Sequence, residues 1–319
     1  MLLLTGGINM ERYLDSKKWK LRLNYLNRKK YLYIMLIPVL AWYIIFCYVP
    51  MYGITMAFQD FAFNKGFFSS PFIGLENFKT LFTDATFINA FQNTIVINLM
   101  RITIGFPIPI ILAILLNEVR SQFFKRFVQT VTYMPHFISW VVMAGIFGSL
   151  FALNTGSVNV FLTKLGIEQI NFFMDNHYFR TLLISSDIWK ELGWNTIIYL
   201  AAISGVNPTL YEASLIDGAN RWQRIRNITI PCISNTIAIL LILAVGNLMQ
   251  VGFDQTFNLY NAAVYQSSDI IDTFVVRSLQ NPVNLGLPAA AGLIKAVINL
   301  TMLLMANFLS KKMGQEGLY

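Results

Sequence analysis

The chain is short of what soluble catalysts use. Only 13% of its 319 residues are charged, about half the share of an ordinary soluble domain. It has two histidines, His136 and His177, and two cysteines, Cys47 and Cys232. These are too few and too far apart for any metal-ligand spacing. Neither histidine stands with a serine and an aspartate in the context of an activated nucleophile, so both read as interfacial hydrogen-bonders rather than bases. No G-x-x-x-x-G-K-[ST] stretch occurs, so the chain has no loop of its own to cradle a nucleotide's phosphates. It is read as non-catalytic, with no cofactor of its own.

Apolar side chains are what it has in quantity. Hydrophobic residues make up 55% of the sequence, and the mean hydropathy is +0.54. Six runs, at about 31–58, 90–117, 127–153, 181–203, 234–252 and 287–309, are long enough to cross about 30 Å of hydrocarbon. A backbone in lipid must satisfy its own hydrogen bonds, so each run is expected to be a helix. The expected fold is an all-α integral membrane protein with six transmembrane helices over 31–309. A basic segment, 1–30, precedes them and a short tail, 310–319, follows. The opening MLLLTGGINM is too briefly apolar for a signal peptide. A start at Met10 would leave this reading unchanged.

Lysine and arginine set the orientation. With the N-terminus inside, the inner segments hold Arg12, Lys17, Lys18, Lys20, Arg22, Arg28, Lys29 and Lys30, then Arg120, Lys125 and Arg126. They also hold Arg221, Arg224, Arg226, Lys311 and Lys312. The outer loops hold only Lys65, Lys79, Lys164 and Arg277. This bias places both termini in the cytoplasm. It also accounts for the net charge of +8. A nucleic-acid surface would need the basic residues on one face, and they are scattered over four segments. Cys47 then falls near the outer end of the first span and Cys232 at the inner start of the fifth, too far apart to pair.

One polar stretch interrupts the apolar pattern on the inner side. In YEASLIDGANRWQRIRNITIPCI, residues 211–233, Pro208 just upstream opens a short helix with Glu212 in its first turn. Gly218 permits a turn that a Cβ would resist. A second short helix follows from Ala219, with Ala219, Trp222, Ile225 and Ile228 along one face, until Pro231 ends it. From amphipathicity alone, such a pair can lie on the lipid surface with its arginines on headgroups.

The residue order narrows this. YEASLIDGANRWQRIRNITIP resembles the cytoplasmic EAA loop of binding-protein-dependent ABC import permeases. Glu212, Ala213, Asp217, Gly218, Ala219, Ile228 and Pro231 stand at matching places. Ser214 replaces the second Ala of the pattern, and Ile230 replaces its Leu. IWKELGWNTIIYLAAISGVNPTLYEASLIDGA resembles the fourth segment and loop of the carbohydrate-uptake permeases. FPIPIILAILLNEV and YMPHFISWVV are similar to the LplB-type oligosaccharide branch of that group. The resemblance runs from about 31 to 319. It implies an ABC type I importer permease fold in a bacterial cytoplasmic membrane. Glu212, Ala213, Ser214, Asp217, Gly218 and Ala219 would seat in a groove of an ATP-hydrolysing partner. The implied partners are a second permease, two ATP-binding subunits that bind the ATP and Mg, and an extracytoplasmic solute-binding protein. The implied cargo is an oligosaccharide.

Ionisable residues within spans are costly and default to functional candidates. Here they are Arg101, Asp187, Lys190, Glu191 and Lys295. Asp187 and Lys190 can pair at i,i+3 on one helix face, while Lys190 can also serve Glu191. Arg101 or Lys295 can reach in from neighbouring helices. Asn247, Gln250 and Asp254, at i, i+3 and i+7, are expected to share one helix face. Their amides suit either sugar hydroxyls or helix–helix contacts. Trp189 and Trp194 can stack on sugar faces or sit at the interface. By position from the loop glycine, the resemblance adds Glu191, Trp194, Asn247 and Gln250, and with the intramembrane charge Lys190 these are the expected substrate pathway. A self-sufficient secondary transporter, with the buried charges as an ion or proton relay, is the alternative. The inverted repeats that many such transporters carry are not visible here.

Overall fold

The computed structural model describes residues 28–250, 252–280 and 284–312. Most of the basic segment 1–30, including Arg12 to Arg22, lies outside the described residues, as does the tail beyond Lys312. The chain forms two units, Met1–Thr55 and Met56–Tyr319. Among the described residues the regular structure is helical, and the only strand-like pairing is the isolated bridge between Gln59 and Phe72.

The first long helix is α1, Lys30–Phe58. The second unit contains α2 (Glu76–Thr83), α3 (Ala85–Glu118), α4 (Gln122–Phe137), α5 (Trp140–Leu150) and α6 (Ser157–Lys164). Then come α7 (Asn176–Ser204), α8 (Pro208–Ile216), α9 (Arg221–Gly246), α10 (Phe253–Leu259), α11 (Ile271–Gln280) and α12 (Gly286–Lys312). Among the described residues, α1, α3, α9 and α12 are each long and apolar enough to cross a membrane. The α4–α5 pair meets the same test only when both helices are taken together, as a broken span or a re-entrant loop. At 29 residues α7 is long enough, about 43 Å at 1.5 Å per residue. Asp187, Lys190 and Glu191 lower its hydropathy.

Three of these helices pass through proline by the same device. A proline lacks the N–H for its i−4 bond, and its ring crowds the carbonyl there. In α1 the Val49 N–H reaches back five residues to the Ile44 carbonyl, just before Pro50. In α3 the Phe106 N–H does the same to Arg101, just before Pro107. In α9 the Ile230 N–H bonds Ile225, just before Pro231. Each π-turn takes up one extra residue and lets the helix continue. Pro231 therefore does not end an element. The second helix of the inner loop and the fifth apolar run are one continuous helix, Arg221–Gly246.

Two further expectations are corrected. The run 127–153 is not one straight span, because α4 and α5 meet at 107°. Pro135 lies in the tight last turn Met134–Phe137, and the Ser139 hydroxyl restarts the chain by capping the Val142 N–H at 3.4 Å. The helix of the fifth apolar run also stops early. α9 ends at Gly246, and a turn at 247–249 leads towards α10 at Phe253. Asn247, Gln250 and Asp254 are therefore not on one helix.

Three apolar clusters hold the second unit together. Ile97, Met143, Phe179 and Leu183 join α3, α5 and α7, while Phe87, Phe274 and Ala290 join α3, α11 and α12. Ala113, Tyr199, Ile203 and Ile233 join α3, α7 and α9. The third cluster packs the two helices that flank the inner loop against α3.

Candidate functional site

The inner loop is built by local rules. Asn207 caps α8 by accepting the Thr209 N–H at 3.0 Å, and Pro208 takes the first helical position. Glu212 falls past the first turn, so the helix dipole does not account for it. At the far end, Gly218 has φ +78°, in the left-handed region. Its N–H bonds the Leu215 carbonyl at 3.1 Å, and the Ala219 N–H bonds Ser214 at 2.9 Å. This pair of bonds is a Schellman stop. The next helix begins at Arg221 rather than Ala219, under a reciprocal cap. Asn220 Oδ1 accepts the Gln223 N–H at 2.9 Å, and Gln223 Oε1 accepts the Asn220 N–H at 2.8 Å.

Side chains then tie the loop to the bundle. The Tyr211 hydroxyl meets that of buried Thr229, in the π-turn of α9, at 2.9 Å. Arg221 lies 4.0 Å from Glu118 at the end of α3. Glu212, Ala213, Asp217 and Gly218 are exposed, while Ser214 and Ala219 are half-buried. Ile216 and Trp222 are 88% and 69% exposed. The loop is a rigid corner with an uncovered apolar tip.

A cavity of about 320 Å³ opens between α3, α7 and α9, at the lower end of the range for ligand pockets. Its polar wall includes Asn98, Arg101, Asp187, Glu191, Asn195, Asn247 and Gln250. Of the expected pathway residues, Glu191, Asn247 and Gln250 line it. Lys190 and Trp194 do not.

Lys190 faces the break between α4 and α5. It is buried, and its ammonium donates to the carbonyls of Pro135 at 3.4 Å and His136 at 2.5 Å. The Pro135 carbonyl also accepts the Ile138 N–H at 3.2 Å, so the ammonium is a second donor there. The Lys190 charge also lies 5.6 Å over the Trp140 ring and 3.6 Å from Glu191. Glu191 accepts from His136 Nδ1 at 2.8 Å. That imidazole stacks flat on Trp194, with centroids 4.3 Å apart. One helix turn of α7 thus grips the apex of the α4–α5 bend, and Gly193 brings the backbones close, since a Cβ there would strike the Thr132 carbonyl.

Arg101, at the π-turn of α3, pairs with Asp187 at 3.5 Å. The expected pairing of Asp187 with Lys190 does not form. The Arg101 guanidinium also donates to Gln255 Oε1. Gln255 in turn donates to the Leu183 carbonyl at 2.6 Å and the Ser186 hydroxyl at 2.7 Å. Fully buried Gln255 was not singled out in the sequence, where nothing distinguishes it from its neighbour Asp254. Lys295 stays out of the cavity and binds Asp272 at 2.6 Å. Both described cysteines are free thiols.

The chain was then compared with known proteins. The family described as binding-protein-dependent transport system inner membrane component matches residues 105–315. The chain is 42% identical over 304 residues to the polygalacturonan/rhamnogalacturonan transport system permease protein YteP of Bacillus subtilis strain 168, covering 95% of each chain. To the protein LplB of the same strain it is 40% identical over 294 residues, 92% of each. It also superimposes, with a TM-score of 0.86 and 40% identity, on a crystal structure of a bacterial ABC transporter involved in the import of the acidic polysaccharide alginate. That match covers 94% of this chain and 100% of the other. These likenesses do not favour a self-sufficient secondary transporter. The chain belongs to the binding-protein-dependent transport system inner membrane components, and is a non-catalytic permease subunit of an ABC importer.

Proposed function

We propose that this subunit imports an oligosaccharide, forming the pathway with a second permease and taking its drive from two ATP-binding partners through the loop 208–231. The single observation that carries this reading is the course of the two helices flanking that loop. α7, which enters it, carries Asp187 and Glu191 on the cavity wall, while α9, which leaves it, brings Leu240, Ala244 and then Asn247 to the same cavity. A push on the exposed corner therefore reaches one wall through the continuous helix α9, and the other through α8 and the short link 205–207 into α7. The partners would bind the ATP and Mg, and their groove would receive Glu212, Ala213, Ser214, Asp217, Gly218 and Ala219.

In the same reading the chain crosses the membrane six times over 31–309, with α7 as the fourth span and both termini in the cytoplasm. Residues 1–30 and 310–319 flank the permease domain on that side. An extracytoplasmic binding protein would deliver the cargo. The oligosaccharide class is supported by relatives named for polygalacturonan and rhamnogalacturonan, and by the alginate importer solved with a pentasaccharide-bound periplasmic protein. Glu191, Asn247 and Gln250 would face the sugar, with Lys190 and Trp194 holding the wall behind them.

The test is reconstitution of the chain with its three partner types in liposomes. Uptake that needs ATP, the binding protein and an intact Gly218 turn supports the proposal. Uptake by this chain alone, driven by an ion gradient, overturns it.

A further inference from the structure

The segment beyond α9 carries a row of aromatic rings. α10 buries Gln255, Thr256 and Leu259, which leaves Phe253 and Phe257 on its other side. From Phe253 the row runs through Phe257 and Tyr260 to Tyr265, with ring centres 5.1, 6.0 and 5.2 Å apart and planes 28°, 37° and 35° from parallel. Rings at these spacings are slipped past one another rather than stacked face to face, so part of each face stays open. Phe257 is 40% exposed, and the other three are half-buried.

The row joins two cavities. At one end, a Cβ on Gly252 would lie 3.5 Å from the guanidinium of Arg101, which lines the cavity between α3, α7 and α9. At the other end, Tyr265 lines a second cavity of about 330 Å³ with Asn89, Gln266, Asp269 and Arg277. In the proposed orientation this second cavity is extracytoplasmic. The backbone that carries the outer ring is firmly held. Asn89, Asn93, Asn176 and Arg180 donate to the carbonyls of Tyr265, Gln266, Ala263 and Ser267 at 3.0 to 3.3 Å. Arg277 lies 4.6 Å over the Tyr265 ring, fixed by its pair with buried Asp269. A surface formed in advance costs little further ordering when a ligand lands on it.

We propose that Phe253, Phe257, Tyr260 and Tyr265 form a slide that carries the oligosaccharide between the outer cavity and the inner one. A pyranose presents an apolar C–H face, which packs on an aromatic ring, while its hydroxyls and any carboxylate point outward from the rim. The slide reads that face and not the charge, so it serves neutral and acidic sugars alike. Spaced rings let a chain advance with one contact forming as another is released. The inference rests on the reading that an oligosaccharide is the cargo.

The test uses the full complex with its binding protein in liposomes, and di- and tetrasaccharides of both galacturonate and xylose as probes. Phe257→Leu keeps an apolar side chain but removes the ring, and Phe257→Tyr keeps the ring. With matched amounts of assembled complex, the leucine variant should import the tetrasaccharide about fivefold more slowly. The shorter probe spans fewer rings and should be slowed less, and the tyrosine variant should restore both rates. If the leucine variant imports both lengths at the parent rate, or slows both equally, the row serves lipid or a neighbouring subunit. The slide is then overturned, and the oligosaccharide reading stands on the parent's uptake. If the parent complex hydrolyses ATP but imports none of the probes, the oligosaccharide reading falls, and the slide with it.

Discussion

The Tyr211 hydroxyl lies 2.9 Å from the hydroxyl of Thr229. It joins α8 to the π-turn of α9, across the corner made by Gly218. Because Thr229 is buried, the pair fixes the angle between an exposed loop and a long helix that reaches the cavity.

Tyr211→Phe should loosen that angle without unfolding the loop. A lost hydrogen bond to a buried hydroxyl costs about 1 kcal/mol, too little to stop membrane insertion. The expected outcome is less sugar imported per ATP hydrolysed, measured side by side in liposomes. Unchanged coupling would show that backbone turns alone hold the corner.

Gly218→Val should be more severe. A Cβ residue in the left-handed region costs about 1–2 kcal/mol. Nothing lies within 4 Å of the place its Cβ would take, so the cost is backbone strain and not collision. Gly218→Asn, which tolerates that conformation better, should keep more transport than the valine variant. Uptake assays on membranes with matched protein levels would decide. Equal activity of both variants would count against a required left-handed turn.

The loop was legible in the sequence because its rules are local. Pro208 and Gly218 act within a few residues, so spacing alone conveys them, whereas the caps at Asn207 and Asn220 emerge from the structure. The bend at Pro135 and the early end of α9 were not legible, because hydropathy counts apolar residues and does not record direction. Pro231 was misread for a related reason. A proline stops a helix only if no extra residue precedes it, and the π-turn at 225–229 supplies one. Glu191 and Asn247 line the cavity, a placement that their polarity within apolar runs suggests, but the destination of the Lys190 ammonium depends on a bend 55 residues earlier.

Lys190→Met tests that destination. It keeps the apolar stem but leaves the His136 carbonyl at the bend without its donor, at about 1–3 kcal/mol for a buried polar group. The purified complex should unfold at a lower temperature in detergent. A variant with unaltered melting and impaired uptake would mean that Lys190 meets the sugar instead.

Orientation can be read with thiol chemistry. Cys47 and Cys232 are exposed, so both are first replaced by serine. A single cysteine placed within 154–178 should then react with an impermeant reagent in intact cells, and one within 219–227 should not. The opposite pattern would invert the proposed topology.

Asn247→Ala separates a sugar contact from a helix contact. Asn247 follows the last residue of α9, where its amide donates to the Leu243 carbonyl at 3.0 Å. It lines the cavity and is exposed. Removing an exposed local bond of this kind should change stability by less than about 1 kcal/mol, so assembly and basal ATP hydrolysis should stay near normal. If the side chain meets the cargo, sugar-dependent uptake should fall several-fold, and the half-saturating sugar concentration should rise. If the variant complex instead dissociates in detergent but transports normally once assembled, Asn247 holds helices together. The sugar-facing wall would then be reduced to α3 and α7.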